Sequence, residues 1–131
     1  MIYNKSNAED LFIRGLVEFN NQNFYSSHEY WEELWLEHKV EHPLLIQGLI
    51  QFSVGCFQIT NLNRKGAISL FNKSINKLDK FKSYKGLKIN ILDIVSEIRS
   101  LLLWLAENRE LSSFKWDDFF KIKLYKMNES D

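Results

Sequence analysis

The residues that could do chemistry are concentrated at positions 27–35, which read SHEYWEELW. They combine one histidine with three carboxylates and two tryptophans. His28 and Glu32 are four residues apart, so their side chains can meet on one face of a helix. A carboxylate beside an imidazole fixes its tautomer and raises its pKa, and the two side chains could together bind a divalent metal ion. We therefore predict His28 and Glu32 as metal ligands. In the alternative interpretation the two residues only satisfy each other.

This stretch must lie on a helix that has one face in the core. On a helical wheel, four side chains share the arc that faces the core: Tyr30, Trp31, Leu34 and Trp35. His28 and Glu32 lie at the edge of that arc, and Glu33 points away from it. We expect Trp31 and Trp35 to be largely buried and Glu33 to be exposed.

Three glutamines interrupt the otherwise apolar positions 44–59 and share one narrow stripe of a helix: Gln47, Gln51 and Gln58. A buried amide without a hydrogen-bond partner costs about 1–3 kcal/mol, so these side chains need polar neighbours. The histidine and carboxylates of positions 28–32 are the obvious partners. We predict that the three glutamines, together with Trp31 and Trp35, are binding residues in a polar cluster between the second and third helices.

Composition narrows the class of protein. The 131 residues contain 17 basic and 17 acidic side chains, and a net charge of zero argues against a nucleic-acid-binding protein. The single cysteine, Cys56, excludes an internal disulfide and a zinc site built on several cysteines. The polar first ten residues do not resemble a signal peptide, and we expect no membrane span. A soluble protein of the cytoplasm is predicted, or of the plastid stroma if it is plastid-encoded.

Long helices follow from the scarcity of breakers, because the chain has one proline and five glycines. Apolar residues at helical spacing predict an all-α fold, a compact bundle of five helices built from hairpins. The predicted helices cover positions 7–20, 26–39, 43–60, 64–81 and 89–108. Capping boxes at Ser6 and Ser26 would begin the first two. We expect a short helix at 116–120, an extended segment at 120–124, one domain over 1–126 and a frayed tail at 127–131.

The two halves of the chain echo each other at an offset of forty residues. Asn23 corresponds to Asn63, and Trp31 corresponds to Phe71. Each half would then be a pair of helices with a small residue where the second helix crosses the first. These pairs resemble tetratricopeptide-type hairpins, but two units favour a compact bundle over a solenoid. Gly48 and Gly55 should let a neighbouring helix approach the third helix closely.

Several motifs together resemble the domain of unknown function 309 family. They are FN at 19–20, FY at 24–25, HExWExxW at 28–35, LIQGLIQ at 45–51 and NxxGA at 63–67. The resemblance covers about positions 11–78. It implies a small, soluble, all-helical protein of a family labelled metal-dependent hydrolases. The polar set that the family carries maps onto His28, Glu29, Glu32, Gln47 and Gln51. Many relatives carry a histidine near the place of Gln58, and glutamine is a poor ligand for a transition metal.

Two functions remain open on the sequence. The first is a non-enzymatic binding or scaffold module whose polar cluster fixes the register of two helices. The alternative is a metal-dependent hydrolase in which His28 and Glu32 bind a divalent metal and Glu29 is the general base. Chemistry favours the module, since a third strong ligand is not evident. His38 and His42 bracket the loop after the second helix, where exposed loop histidines are expected more often than a metal pair. A homo-oligomer is possible, but the sequence does not determine the oligomeric state.

Overall fold

The computed structural model describes residues 5–107, 110–118 and 120–124. These residues form five α-helices: α1 (Lys5–Asn20), α2 (Phe24–Glu37), α3 (Pro43–Thr60), α4 (Arg64–Leu78) and α5 (Ile91–Ala106). Short 3-10 helices follow at Asp79–Phe81, Leu111–Ser113 and Trp116–Asp118. Over these three stretches the only β pairing is an isolated antiparallel bridge between Ile89 and Leu124. The prediction of an all-α fold with five helices is confirmed.

Helix boundaries follow local chemistry where that chemistry is strong. α3 begins at Pro43, as predicted, because the first turn of a helix does not need the missing N–H. The predicted start of α2 is wrong by two residues. Asn23 precedes the first turn, and Ser26 lies inside the helix rather than at its cap. Ser6 likewise lies inside α1, so neither predicted capping box begins a helix. α4 ends at Leu78, and the rest of its predicted length is 3-10 helix.

The helix pairs α1–α2 and α3–α4 have the same turn, as the forty-residue echo predicts. The backbone N–H of Asn23 donates to the Glu18 carbonyl at 2.8 Å, and that of Asn63 donates to the Gln58 carbonyl at 2.8 Å. Each asparagine amide also donates to the side chain of the same partner, at 3.0 Å in both turns. The residue before each asparagine has a left-handed backbone: Gln22 (φ 67°) and Leu62 (φ 58°).

A large ring lies on a bare glycine at the crossing point of each hairpin. A Cβ added to Gly15 would lie 2.1 Å from Nε1 of Trp31, and one added to Gly55 would lie 2.5 Å from Cε1 of Phe71. The two glycines are forty residues apart, and so are the two rings. In the first hairpin, the Ser27 hydroxyl also donates to the Gly15 carbonyl at 2.8 Å. The helices therefore approach more closely than any side chain at the two glycines would permit.

α3 is the central element, because α2 packs against one side of it and α4 against another. Gly48 meets Leu78 on α4, whereas Phe57 contacts Tyr25 on α2 with ring centroids 5.3 Å apart. α5 packs on α4 in turn. Among the described helices, α3 is the one long and apolar enough to cross a membrane, with a mean hydropathy of 1.3. Core helices of globular proteins meet the same criterion, and the packing of α3 accounts for its apolar composition.

The segment after α5 returns across the first hairpin. Asn20 holds it with two hydrogen bonds, since its amide donates to the Ile122 carbonyl at 2.9 Å and accepts from the Ile122 N–H at 2.8 Å. Ile122 is buried, and Trp116 packs on Phe24 with ring centroids 4.8 Å apart. The predicted short helix is a 3-10 turn at Trp116–Asp118. The predicted frayed tail at 127–131 lies outside the described residues.

Replacing Gly15 by alanine tests the ring-on-glycine crossing. Alanine favours helix by about 1 kcal/mol, but its Cβ would overlap the buried Trp31 indole. We expect a net loss of about 2 kcal/mol or more in the free energy of unfolding, measured by chemical denaturation with circular dichroism. Lys73→Ala, at an exposed position of α4, serves as the control and should change stability by less than about 0.5 kcal/mol, because lysine and alanine have similar helix propensities. A Gly15→Ala protein as stable as the parent would contradict this account of the crossing.

Candidate functional site

His28 lies in the first turns of α2 and is held by its own helix. Its Nδ1 lies 2.9 Å from the Tyr25 carbonyl, so the Nδ1–H donates to that oxygen when the ring is neutral. The ring also packs edge-on against the Tyr25 ring, with centroids 4.9 Å apart. Nε2 lies 3.9 Å from Oε2 of Glu32, and the two side chains are 17% and 49% exposed. The structure therefore brings the predicted pair to ion-pair distance at a partly open surface.

This pair does not have the ligand set of a catalytic metal. A catalytic zinc ion takes three protein ligands, and His28 and Glu32 supply two. Within residues 5–107, 110–118 and 120–124, no group of three or more histidine, cysteine or acidic side chains could hold a metal ion. Glu29 is exposed and is not part of such a group. The residues present thus do not fit the divalent metal that the family resemblance implies.

The predicted glutamine cluster is not held together by hydrogen bonds. Gln47, Gln51 and Gln58 are all half-buried, but none of them bonds to His28 or Glu32 in the described part of the chain. Gln58 instead accepts from Asn63 in the turn after α3. Oε1 of Gln51 is buried without a hydrogen-bond partner. The cluster was expected because buried amides need partners. Instead, the Tyr25 carbonyl binds His28, and Asn63 in the turn after α3 binds Gln58.

The two tryptophans of α2 differ in what can reach them. Trp31 is completely buried, and its indole N–H donates to the Phe12 carbonyl at 3.1 Å. Phe19 stacks on it at a centroid distance of 6.1 Å. Its place in the core gives a ligand no access to it. Trp35 is only partly buried, and Glu33 is exposed as the helical wheel predicts. Of the two tryptophans, Trp35 is the one that a ligand can contact.

A cleft lies away from His28, at the opposite end of α2. It has a volume of about 510 Å³ and is bounded by the first turns of α1, the connection between α2 and α3, and the loop at 84–88. Its apolar wall includes Phe12, Leu45 and Leu87. Charged side chains line it as well, among them Lys39 and Lys88. None of the residues predicted from the sequence as site residues lines this cleft.

The polar wall of this cleft is built from two segments. The Tyr84 hydroxyl donates to Oε1 of Glu41 at 3.1 Å. The His42 ring packs edge-on against Tyr84 with centroids 4.7 Å apart, and it packs at a tilt against Phe81 with centroids 5.3 Å apart. Burial raises the pKa of Tyr84, and the hydrogen bond to Glu41 and the charge of that carboxylate add to the effect. The sequence identifies His42 only as a histidine of the loop after the second helix. Its contacts with Tyr84 and Phe81 have no sequence signal, because forty residues separate them.

Comparison with protein families agrees with the resemblance. Residues 12–70 match the family model described as a domain of unknown function (DUF309). The matched span begins in α1 and ends in α4, so it includes both hairpin turns and the Gly15–Trp31 crossing, and it ends one residue before Phe71 of the second crossing. The family resemblance predicted from the motifs is confirmed. No curated protein matches the chain.

Replacing Glu41 by glutamine tests the polar wall of the cleft. The carboxylate opposes ionisation of Tyr84, so its loss should lower the pKa of that phenol toward the ordinary value of about 10. Tyrosinate absorbance measures the titration, and subtraction of a Tyr84→Phe titration isolates this residue. Glu37→Gln is the matched control, because Glu37 is exposed and does not line the cleft. An unchanged Tyr84 titration in the Glu41 variant would show that the two side chains do not interact.

Proposed function

We propose, from the geometry of the chain, that this protein is a ligand-binding helical module. Residues 12–70 match the family model described as a domain of unknown function (DUF309), and that description names no activity. The observation that carries the proposal is the cleft of about 510 Å³ beside the connection between α2 and α3. Small-molecule sites are typically concave, about 300–1,000 Å³ in volume and mostly apolar, with a few convergent polar groups. This cleft has each of those properties.

The lining of the cleft indicates the chemistry of the ligand. Phe12, Leu45 and Leu87 offer an apolar surface for the body of a small molecule. Glu41 and Tyr84 already share a hydrogen bond, so their remaining lone pairs can accept from a polar head group. We therefore propose a small amphiphilic ligand, with an apolar body and a hydrogen-bonding head. The first turns of α1 and α3 supply part of this surface from helical positions, and a surface formed before the ligand arrives lowers the entropic cost of binding.

A cleft-filling variant tests the binding module. Phenylacetate and phenethylamine serve as probes, because they share one apolar body and carry heads of opposite charge. We expect at least one of them to bind with a dissociation constant of about 1 mM and to shift the amide signals of Leu45 and Leu87 in nitrogen–proton correlation spectra. Val40→Trp should weaken that binding at least about tenfold, since Val40 lines the cleft and the indole would occupy it.

Two further variants serve as controls. Leu36→Trp adds the same side chain at a position on α2 that is 63% exposed and outside the cleft, and it should leave binding unchanged. His28→Ala should also leave binding unchanged, because His28 is not part of the cleft. Absence of any shift with either probe, or full binding by the Val40 variant, would remove the cleft as the ligand site.

The second candidate function is a metal-dependent hydrolase. One observation favours it: the Nδ1–H of His28 bonds to the Tyr25 carbonyl, so in the neutral ring Nε2, 3.9 Å from Oε2 of Glu32, carries the lone pair that a metal ligand requires. In that hypothesis Glu32 is the second ligand and Glu29 is the general base. The missing third donor argues against it, and the ligand-binding module is therefore the better supported of the two.

Elemental analysis separates the two functions. We expect protein purified without a histidine tag to carry well below one equivalent of zinc or manganese, because two donors give weak binding. The His28→Ala variant should give the same metal content as the parent. Stoichiometric metal in the parent that is lost in the His28 variant, and also in Glu32→Gln, would favour the hydrolase instead.

A further inference from the structure

One side of α3 is covered by neither of the two helices that flank it. Gly48 lies against Leu78 on α4, and the Phe57 ring contacts Tyr25 on α2. On a helical wheel of α3, the glutamine stripe points between these two directions, whereas the buried residues of α3 point the other way. The stripe is half-buried. We call this surface the α3 groove and define its floor by Gln47, Gln51 and Gln58.

The two rims of the α3 groove carry opposite charges. Short connections join α2 and α4 to α3, so both run antiparallel to it, and the helical wheel gives the side of each that faces the groove. On α2 that side carries Glu29 and Glu32, which are exposed. On α4 it carries Lys73 and Lys77, and Cβ of Lys77 lies 3.3 Å from the position of a Cβ added to Gly48. One rim is therefore acidic and the other is basic.

The rim charges are not paired with each other. Among the ion pairs of the described residues, none includes Lys73 or Lys77. The one ion pair of Glu32 is its 3.9 Å contact with His28. An occupant with a basic side toward α2 and an acidic side toward α4 would be attracted by both rims. A polyanion such as a nucleic acid would be attracted by one rim and repelled by the other.

The floor of the groove has the spacing of an extended chain. Four residues separate Gln47 from Gln51, which places them about 6 Å apart along α3. In an extended peptide, the backbone groups that point to one side recur every second residue, about 6.6–6.8 Å apart. A glutamine amide offers both a donor and an acceptor, as the peptide backbone requires. The same two-residue repeat sends alternate side chains to opposite sides, and therefore to opposite rims.

We propose that the α3 groove binds an extended segment of a partner protein in which basic and acidic side chains alternate. The basic side chains face Glu29 and Glu32, and the acidic side chains face Lys73 and Lys77. The floor is about 16 Å long, because eleven residues separate its first and last glutamines, and it accommodates about five residues of extended chain. None of these rim and floor residues lines the cleft, so this proposal and the proposed function can fail separately.

A charge-alternating peptide tests the groove. Capped Lys-Glu-Lys-Glu-Lys-Glu is titrated into the labelled full chain and followed in nitrogen–proton correlation spectra. We expect the side-chain amide signals of Gln47 and Gln51 to shift, with a dissociation constant of about 1 mM or below that rises as salt is added. Val40→Trp, which fills the cleft, should bind this peptide like the parent. Absence of any shift in the parent would overturn the proposal.

Two further peptides test the arrangement of charge. Capped Lys-Lys-Lys-Glu-Glu-Glu has the same composition, but each half presents one sign of charge to both rims. It should bind at least about fivefold more weakly than the alternating peptide. Hexaglutamate should also bind more weakly, because the acidic rim repels it. Equal or tighter binding of either peptide would overturn the proposal, since it would show a response to charge without the alternating fit.

A charge exchange across the groove tests the two rims. Glu32→Lys and Lys73→Glu each give the rims like charges locally, so each should weaken binding of the alternating peptide at least about threefold. The double variant restores opposite signs, and the peptide fits it after a shift of one residue, so binding should return to within about twofold of the parent. Lys65→Glu is the matched control, at an exposed position on another side of α4. A double variant that binds as weakly as the single variants would refute the arrangement.

Gln51→Leu tests the floor without a loss of stability. Oε1 of Gln51 is buried and has no hydrogen-bond partner within the described residues. A turn of the terminal amide toward a peptide N–H would satisfy this acceptor. The leucine variant should therefore bind the alternating peptide at least about threefold more weakly, yet melt at a temperature no lower than the parent, as followed by circular dichroism. Parent-like binding by this variant would show that the floor does not contact the peptide.

Discussion

The close contact between an aromatic ring and a bare glycine backbone determines the rest of this structure. Trp31 lies on Gly15, and Phe71 lies on Gly55 forty residues later. Because no side chain separates the helices at these points, each hairpin closes tightly and buries its ring. Rings of this size remove large apolar areas from water, and they would lose that burial if the helices moved apart. The two hairpins then stack through α3, which gives the chain its central helix.

Stacking two similar units leaves two unlike ends. α5 packs against α4 at one end, whereas at the other end Val17 of α1 is exposed, although Phe57, its equivalent on α3, contacts Tyr25 on α2. Units that bury their apolar faces only against neighbouring units need a capping element at each terminus. The cleft has a related origin, because it opens where the connection between the hairpins meets the first turns of α1. The cleft and the exposed side of α1 therefore both arise from the way in which the repeat ends and turns.

The candidate site shows what spacing can and cannot predict. The four-residue separation of His28 and Glu32 correctly placed them near each other, because helix geometry alone fixes such a pair. The glutamine stripe was also correctly located on α3, but its expected partners were not. His28 bonds to a backbone carbonyl three residues away, and Gln58 bonds to a turn asparagine five residues away. Local partners are bound first because reaching them orders fewer groups than a contact between helices.

The sequence alone determined the helices, the bounds of α3, the burial of Trp31 and the equivalence of the two halves, because each depends on period or on local backbone chemistry. It could not determine the cleft, whose wall joins Glu41 and His42 to Tyr84 across some forty residues. It also could not show that the face of α1 is open while the same face of α3 is packed. Those features depend on which elements meet after folding. Only the tertiary structure decides that, since identical periodic patterns can be covered or exposed according to their neighbours.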